Sequence, residues 1–196
     1  MTLSELIDAV YEQTNRPDLI TQTTAAVKSA TLKMHRSDFY AKDIYESGVD
    51  FGTLSYTHSF DYITFIANHR AFKYFKRVED ASDEQGKFID IVGVDEILDQ
   101  YGCNRTDIAY NAGRVLEIRS SVEFRYALIG VYVNPIVTDA GYSSWVAEQY
   151  PYSIVYEAAR IIFKSKGQME ESRGMAQLVA EELAELRQGS ILDVAS

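Results

Sequence analysis

The 196-residue chain has few residues that form disulfides, bind metals or restrict the backbone: it has one cysteine, three histidines and three prolines. Because a disulfide needs two thiols, the sequence excludes an internal disulfide framework, and Cys103 alone cannot supply a cysteine-rich zinc site. Positive charge is also scarce, since 19 basic and 29 acidic residues give a net charge of −10. A protein of this charge as a whole does not condense onto nucleic acid or anionic lipid.

Long apolar runs are missing as well. No apolar stretch approaches the roughly 18 residues needed to cross a bilayer, and Glu5 and Asp8 interrupt the region where a signal peptide needs uncharged residues. Together with the lone cysteine, this predicts a protein kept in a reducing, cytoplasm-like compartment with no membrane partner. Hydrophobic residues make up 46% of the chain and charged residues 24%, which is typical of a folded globular protein.

The usual catalytic motifs are absent. The chain has no glycine-rich phosphate loop ending in Lys-Ser/Thr, no Gly-x-Ser-x-Gly and no His-Glu-x-x-His. His35, His58 and His69 lack the spacing at which one element holds a metal, so we expect surface or hydrogen-bonded imidazoles. Cys103 is expected to be an inert buried thiol. The sequence therefore predicts no enzyme, no cofactor and no metal, and leaves open a site assembled from residues distant along the chain.

Both ends of the chain have helical periodicity. Apolar stripes predict an N-terminal helix hairpin over 1–36, in which Thr2 and Glu5 have the spacing of a capping box. C-terminal helices are predicted over 141–188, with Ser143 or Ser144 as a cap and Pro151 opening a helix. Gly167 is expected to end that helix in the left-handed conformation, and Gly189 to end the last one.

The middle of the chain changes to a period of two. Aromatic and β-branched residues predict antiparallel strands at 60–67, 71–78, 114–118 and 124–133. Gly113 has the position of a hairpin glycine with positive φ. Residues 37–55 have no period and are expected to be an extended connection, followed by a β region over 56–140. The predicted fold class is α+β: a single domain over 1–196 in which N- and C-terminal helix pairs build a bundle with an inserted antiparallel β region.

Charge in this β region is polarised. The stretch 70–77 has a charge of +4, from Arg70, Lys73, Lys76 and Arg77. The stretch 79–99 has eight acidic residues against Lys87, or −7. Its acids include Asp80, Asp83 and Glu84. The basic stretch also contains Phe72, Tyr74 and Phe75, so it could stack on and neutralise single-stranded nucleic acid, or it could be an ordinary strand with cations on its outer face. A third reading is that the basic and acidic stretches meet on neighbouring subunits of a ring.

The C-terminal segment 189–196 is unusual because it has three apolar side chains, Ile191, Leu192 and Val194, beyond the last predicted helix. They could fold back on their own domain or insert into a groove or sheet edge of a partner. A free terminus of this kind usually frays, so we expect a mobile tail that becomes ordered on docking.

Several strings resemble the head-to-tail connector adaptor proteins of tailed bacteriophages. They are Leu3-Ser4-Glu5-Leu6-Ile7, the string from Tyr110 to Ile118, Val131-Tyr132-Val133-Asn134-Pro135, and the string from Trp145 to Pro151 before Ala158-Ala159. The likeness spans nearly the whole chain, and its motifs are structural strings without catalytic character.

The resemblance implies a non-enzymatic virion protein. About twelve copies of such a subunit form a ring under the portal of a DNA-filled capsid, offer a platform to tail components and line the DNA exit channel. The C-terminal segment of the family docks on the portal, which here corresponds to Leu186, Ile191, Leu192 and Val194. The expected partners are therefore the portal protein, tail components and further copies of the chain, with DNA passing through the lumen without specific binding.

Overall fold

A computed structural model describes residues 1–61, 68–78 and 86–195, of which 191–195 are described by their backbone alone. The chain divides into two compact units: a helical unit, Met1–Asp43 with Asn134–Ser196, and a strand unit, Ile44–Val133. The β region predicted over 56–140 corresponds to the strand unit, which begins twelve residues earlier, at Ile44, and ends at Val133. None of the helices in the described ranges combines the length and apolar character needed to span a bilayer.

The helical unit contains five helices in its described part. They are α1 (Leu3–Thr14), α2 (Ile20–His35), α3 (Trp145–Gln149), α4 (Pro151–Ser165) and α5 (Met169–Ala195). Helix α4 is central and contacts α1, α2 and α5. Its residues Ile154, Val155 and Ala158 are completely buried in the core of the helical unit.

The predicted helix ends are largely confirmed. Thr2 and Glu5 form both hydrogen bonds of a capping box at α1, and Pro151 begins α4. Gly167 follows α4 with a φ of +75°. The predicted end of the last helix near Gly189 is wrong, because α5 continues to Ala195. The segment 189–195 is therefore helical in its backbone, which corrects the expectation of a tail beyond the last helix.

A buried carboxylate fastens two of these helices. Glu157 of α4 is almost completely buried and accepts hydrogen bonds from Lys33 of α2 and Arg160 at 2.7 Å each. Burial by itself raises the pKa of Glu157, but the bonds from Arg160 and Lys33 outweigh it and hold the pKa below its ordinary value. The group is therefore an ionised, paired charge that fixes α2 against α4.

The strand unit contains five strands in its described part. They are β1 (Ile44–Asp61), β2 (His69–Val78), β3 (Lys87–Val92), β4 (Ile108–Ala112) and β5 (Val115–Val133). Strand β5 pairs with β1 along its length; in addition, its first half pairs with β4 and its second half with β2. Strand β3 pairs with both β2 and β4, so β5, β2, β3 and β4 close into a four-stranded barrel. Phe75, Ile89, Leu116, Ile118 and Ile129 fill its core.

The predicted fold class, a helix bundle with an inserted antiparallel β region, is wrong. Strands β3 and β4 run parallel, and the sheet closes on itself instead of remaining an open antiparallel layer. The hairpin prediction is confirmed, since β4 and β5 are joined at Gly113, which has a φ of +71°. The strings 114–118 and 124–133 belong to one strand, and most of the predicted strand 60–67 lies outside the described residues.

The predicted extended connection over 37–55 is also wrong, since β1 begins at Ile44. Its pairing with β5 shifts register between Asp50 and Ser55, so several residues of β1 face one residue of β5. Gly52 lies in this bulge with a φ of +78°. A bulge interrupts the alternation of a strand, which explains why the sequence has no period there.

Candidate interaction surface

Strand β2 carries two cations that its irregular backbone brings together. Its pairing with β5 shifts register between His69 and Ala71 and again between Phe72 and Tyr74, which makes Arg70 and Lys73 the extra residues. In a regular strand, residues three apart point to opposite faces. Here the charged ends of Arg70 and Lys73 lie 5.5 and 5.8 Å from the centre of the Tyr132 ring. The two bulges therefore gather both cations around one aromatic ring.

A third cation continues this surface toward β3. The ammonium group of Lys76 lies 5.0 Å from the centres of both the Tyr74 and the Phe88 rings. These two rings meet edge to face at 5.9 Å, and Phe88, directly opposite Lys76 on β3, is 59% exposed. We call Arg70, Lys73, Tyr74, Lys76, Phe88 and Tyr132 the basic-aromatic face. Phe88 therefore supplies exposed apolar area beside these cations, whereas Tyr132 is only 5% exposed and is covered by Arg70 and Lys73.

A glycine and a glutamate fix the tyrosine of this face. Tyr74 pairs with Gly130, and a Cβ atom at Gly130 would lie 2.5 Å from the Tyr74 ring, so only glycine leaves room for it. The Tyr74 hydroxyl donates a hydrogen bond to Glu46 of β1. Burial and this bond to Glu46 raise the pKa of Tyr74 to about 12. Tyr74 is therefore a neutral donor locked across three strands.

A shallow cavity of about 420 Å³ lies along the same sheet. Its lining residues are Gly48, Val49, Asp50, Val78, Tyr126, Ala127 and Leu128. Asp50 accepts two hydrogen bonds of 2.7 Å from Arg125, which together with the backbone N–H of Gly52 lower the pKa of Asp50 to about 2. Both charges of this pair are thus neutralised within the unit, and the cavity contributes mainly apolar area.

A second exposed surface follows β3. Between Gly93 and Asn104 the chain forms a loop with three exposed apolar side chains (Val94, Leu98 and Tyr101) and three exposed acids (Asp95, Glu96 and Asp99). We call these six residues the acidic apolar loop. Asp99 accepts hydrogen bonds of 2.8 Å from the backbone N–H groups of Tyr101 and Cys103, so the loop has a defined shape. Tyr101 is 81% exposed, far more than a core tyrosine.

One end of the barrel is closed by a polar cluster around Asp107. Its carboxylate accepts hydrogen bonds from Ser121 N–H at 3.0 Å, Ser121 Oγ at 2.8 Å, Lys87 at 2.9 Å and Arg77 at 3.3 Å. Burial alone raises the pKa of Asp107, but the bonds from Ser121 and Lys87 outweigh it and hold the pKa far below its usual range. Asp107 therefore ties β2, β3 and β5 together as an ionised carboxylate.

The helical unit contains an Asp-His-Ser arrangement that the sequence did not indicate. His35 Nδ1 lies 2.7 Å from Asp43 Oδ1, and His35 Nε2 lies 2.9 Å from Ser144 Oγ. An Nδ1–H donated to the carboxylate leaves Nε2 to accept the Ser144 proton, which is the connectivity of a hydrolytic triad. Trp145 Nε1 also donates to Asp43 Oδ1, at 2.7 Å.

Burial and capping separate this arrangement from a working nucleophile. His35, Asp43 and Ser144 are each at most 4% exposed. Ser144 is the N-cap of α3 and its Oγ already accepts the Ala147 N–H, as the predicted cap requires. Ser144 borders a cavity of about 580 Å³, but its oxygen is bonded on both sides. The cluster therefore joins α2, the turn before β1 and α3 as a structural lock.

Several predicted site residues are placed differently from expectation. Arg77, predicted at a subunit interface, is bonded to Asp107 within the barrel end, and Leu186, predicted to dock on the portal, is completely buried in the helical core. Cys103 is exposed, so the expectation of a buried thiol is wrong. The hydrogen-bonded imidazoles are confirmed at His35 and His58. Asp80, Asp83 and Glu84 lie outside the described residues, and the side chains of Ile191, Leu192 and Val194 are likewise not described.

Within the described ranges, no group of three or more His, Cys, Asp or Glu side chains is placed to hold a metal ion. The chain matches no protein-family model, and a search of curated proteins finds no similar sequence.

Proposed function

We propose that this chain is a structural virion protein: a ring-forming adaptor that links the portal of a DNA-filled phage capsid to the tail and lines the DNA exit channel. The observation that carries the proposal is that one strand unit presents two different exposed surfaces of opposite character, the basic-aromatic face and the acidic apolar loop. A closed ring requires two non-identical, complementary surfaces on every subunit. The string resemblance to phage connector adaptors supports the same assignment.

The proposed partners follow from this role. The subunit assembles in the host cytoplasm, binds the portal ring and tail components, and remains in the virion at the junction of head and tail. The net charge of −10 suits a lumen through which DNA slides, because phosphates are repelled by an acidic wall. The ring is proposed to contain about twelve copies and to act through interface burial, with no chemical step.

Portal docking is proposed for the end of α5. Ile191, Leu192 and Val194 lie in the last helical turns, so we propose that they dock as part of a helix. Leu186 is not available for docking, because it is completely buried in the helical core. Deleting residues 191–196 should abolish portal binding and leave α5 folded up to that point; unchanged binding would remove this role.

The test of the overall proposal is assembly with a portal. Native mass spectrometry and negative-stain microscopy of the chain, co-expressed with the portal protein of the genome that encodes it, should show a ring of many copies on the portal. A chain that stays monomeric beside an assembled portal, and that is absent from purified virions, would refute the adaptor role.

A second candidate function is binding of single-stranded nucleic acid at the basic-aromatic face. Its specific support is that the Lys76 ammonium lies 5.0 Å from the centre of the Phe88 ring, which is 59% exposed, since exposed rings beside cations bind bases and phosphates. The salt dependence of oligonucleotide affinity tests it, because phosphate contacts weaken linearly in a log–log plot as salt rises.

A further inference from the structure

Two surfaces of the strand unit expose charges of opposite sign, and several of these charges form no ion pair with a described residue. Among the described residues, neither Lys73 nor Lys76 forms an ion pair, and their ammonium groups meet only aromatic rings. Asp95 and Asp99 on the acidic apolar loop likewise form no salt bridge with any described residue. By contrast, the pairs Arg125–Asp50 and Arg114–Asp61 show that this unit readily pairs its charges internally.

The same two surfaces also expose unusual apolar area. On the loop, Val94 is 64% and Leu98 52% exposed, and on the face, Phe88 is 59% exposed. Interfaces place aromatic and aliphatic anchors at the centre and charged groups at the rim. Each surface therefore has the composition of one half of an interface, and the charge of each half suits the other.

We propose that the acidic apolar loop of one copy docks on the basic-aromatic face of a second copy. Leu98 and Tyr101 cover Phe88 and the ring edges of the face, while Asp95 and Glu96 reach the lysines. The contact joins two different surfaces, so it repeats from copy to copy and closes into a ring when the rotation allows. This inference rests on the proposed ring function and names the surfaces that build it.

A second copy fits the face better than nucleic acid does. The Tyr132 ring is only 5% exposed, so it is not open to stack on a base, and the Tyr74 hydroxyl is already donated to Glu46 of β1. Arg77, which the sequence offered as a fourth cation, is held by Asp107 inside the barrel end. An acidic protein loop with apolar anchors matches both the lysines and the exposed Phe88.

Reciprocal charge reversal tests the contact. The first variant is Lys73→Glu/Lys76→Glu, and the second is Asp95→Lys/Glu96→Lys. The wild type is expected to self-associate in analytical ultracentrifugation and native mass spectrometry. Each variant alone opposes like charges and should lose that self-associated species. An equimolar mixture restores complementary pairs at every contact and should recover assembly. The control, Lys164→Glu/Lys166→Glu, changes charge equally on the helical unit and should assemble normally.

Circular dichroism tests whether each variant is folded, because a folded variant retains the wild-type spectrum. Recovery of assembly in the mixture also excludes misfolding, since misfolded chains would not assemble. Loss in both single variants with recovery in the mixture supports the proposal. Normal assembly of either single variant, or no recovery on mixing, overturns it. Loss of oligonucleotide binding in the lysine variant with unchanged self-association also overturns it and assigns the face to nucleic acid.

Cys103 offers an independent readout because it is the only cysteine, is exposed, and adjoins the loop. The chain Ala71→Cys/Cys103→Ser has its only thiol beside the face, since Ala71 pairs with Tyr132. When this variant is mixed with wild type and a short bis-maleimide, a cross-link should form between position 71 of the variant and Cys103 of the wild type. Such a cross-link always joins two chains, because neither chain has both thiols. Lys164→Cys/Cys103→Ser is the control and should form none with Cys103.

These outcomes separate the inference from the proposed function. Wild-type protein with neither self-association nor the cross-link, both alone and on the portal, overturns the inference. If rings assemble on the portal but the reversed variants still join them, the surface is wrong and the adaptor function stands. If the surfaces associate as proposed but no portal is bound, the contact stands and the adaptor function fails.

Discussion

Replacing Asp107 by asparagine should destabilise the strand unit by about 2–3 kcal/mol at neutral pH. The amide keeps the shape and one acceptor oxygen, so the Ser121 N–H can still be satisfied. Because the amide is uncharged, the ion pairs with Lys87 and Arg77 are lost. Lys87 is 58% exposed and contributes little, whereas Arg77 is only 14% exposed and is left partly buried without a counter-ion.

The pH dependence of this effect has a definite sign. The pKa of Asp107 is lower in the folded than in the unfolded chain, so its stabilisation is complete above the ordinary aspartate pKa of about 4. It is lost as the pH falls through the folded value. The stability difference between wild type and the asparagine variant should therefore be constant near neutrality and should shrink as the pH falls below about 4.

Native-state hydrogen exchange is the suitable assay, because the lone tryptophan, Trp145, lies in the helical unit and does not report on the strands. Amides of β4 and β5 should lose protection in the variant while those of α4 do not. Asp90→Asn is the matched control, since its carboxylate is 77% exposed and 3.9 Å from Arg105; it should change strand stability by less than about 0.5 kcal/mol. Equal protection of β5 in Asp107→Asn and wild type would refute the reasoning.

Three further predictions concern buried or crowded positions. Glu157→Gln should destabilise the helical unit by about 2–4 kcal/mol, as measured by urea unfolding followed by tryptophan fluorescence. Because the pKa of Glu157 is lowered in the folded state, the difference in unfolding free energy between wild type and variant should narrow below about pH 4.5. An unchanged urea midpoint would contradict this prediction. Gly130→Ala should cost about 1–3 kcal/mol because its Cβ meets the Tyr74 ring, while Gly48→Ala, whose Cβ lies 3.9 Å from its nearest neighbour, should cost less in the same exchange assay. A fluorophosphonate probe should leave Ser144 unlabelled in mass spectrometry, and labelling would identify a working nucleophile. Ser144→Ala should cost about 1–3 kcal/mol, because it removes both the helix cap and the hydrogen bond to the buried His35.

Signals that act within a few residues were readable from the sequence. The Thr2–Glu5 box, Pro151 at the start of α4 and the positive φ of Gly113 each depend on neighbours along the chain, and each is present. Barrel closure was not readable, because the parallel pairing of β3 with β4 depends on long-range contacts that leave no local period. The bulge near Gly52 further disguised β1 as a connection.

Only part of the candidate surface could be predicted from the sequence, because its arrangement also depends on long-range contacts. The basic residues of 70–77 were identified, but strand alternation alone places Arg70 and Lys73 on opposite faces. Two bulges reverse that placement and bring Tyr132, some sixty residues away, between the two cations. Composition could not separate Lys76, which remains at the surface, from Arg77, which a distant aspartate holds in the barrel end.

The chain enters and leaves the strand unit at two neighbouring positions. Ile44, its first residue, is paired directly with Tyr132, one residue before its last, so the two ends lie about 5 Å apart across a strand pair. Because the two ends of the strand unit lie close together, it can be exchanged or removed without changing the distance between the two segments of the helical unit that flank it. A short glycine linker in place of 44–133 should yield a folded helical remnant, and a different barrel could be grafted at the same two points, which makes this junction a natural position for evolutionary replacement.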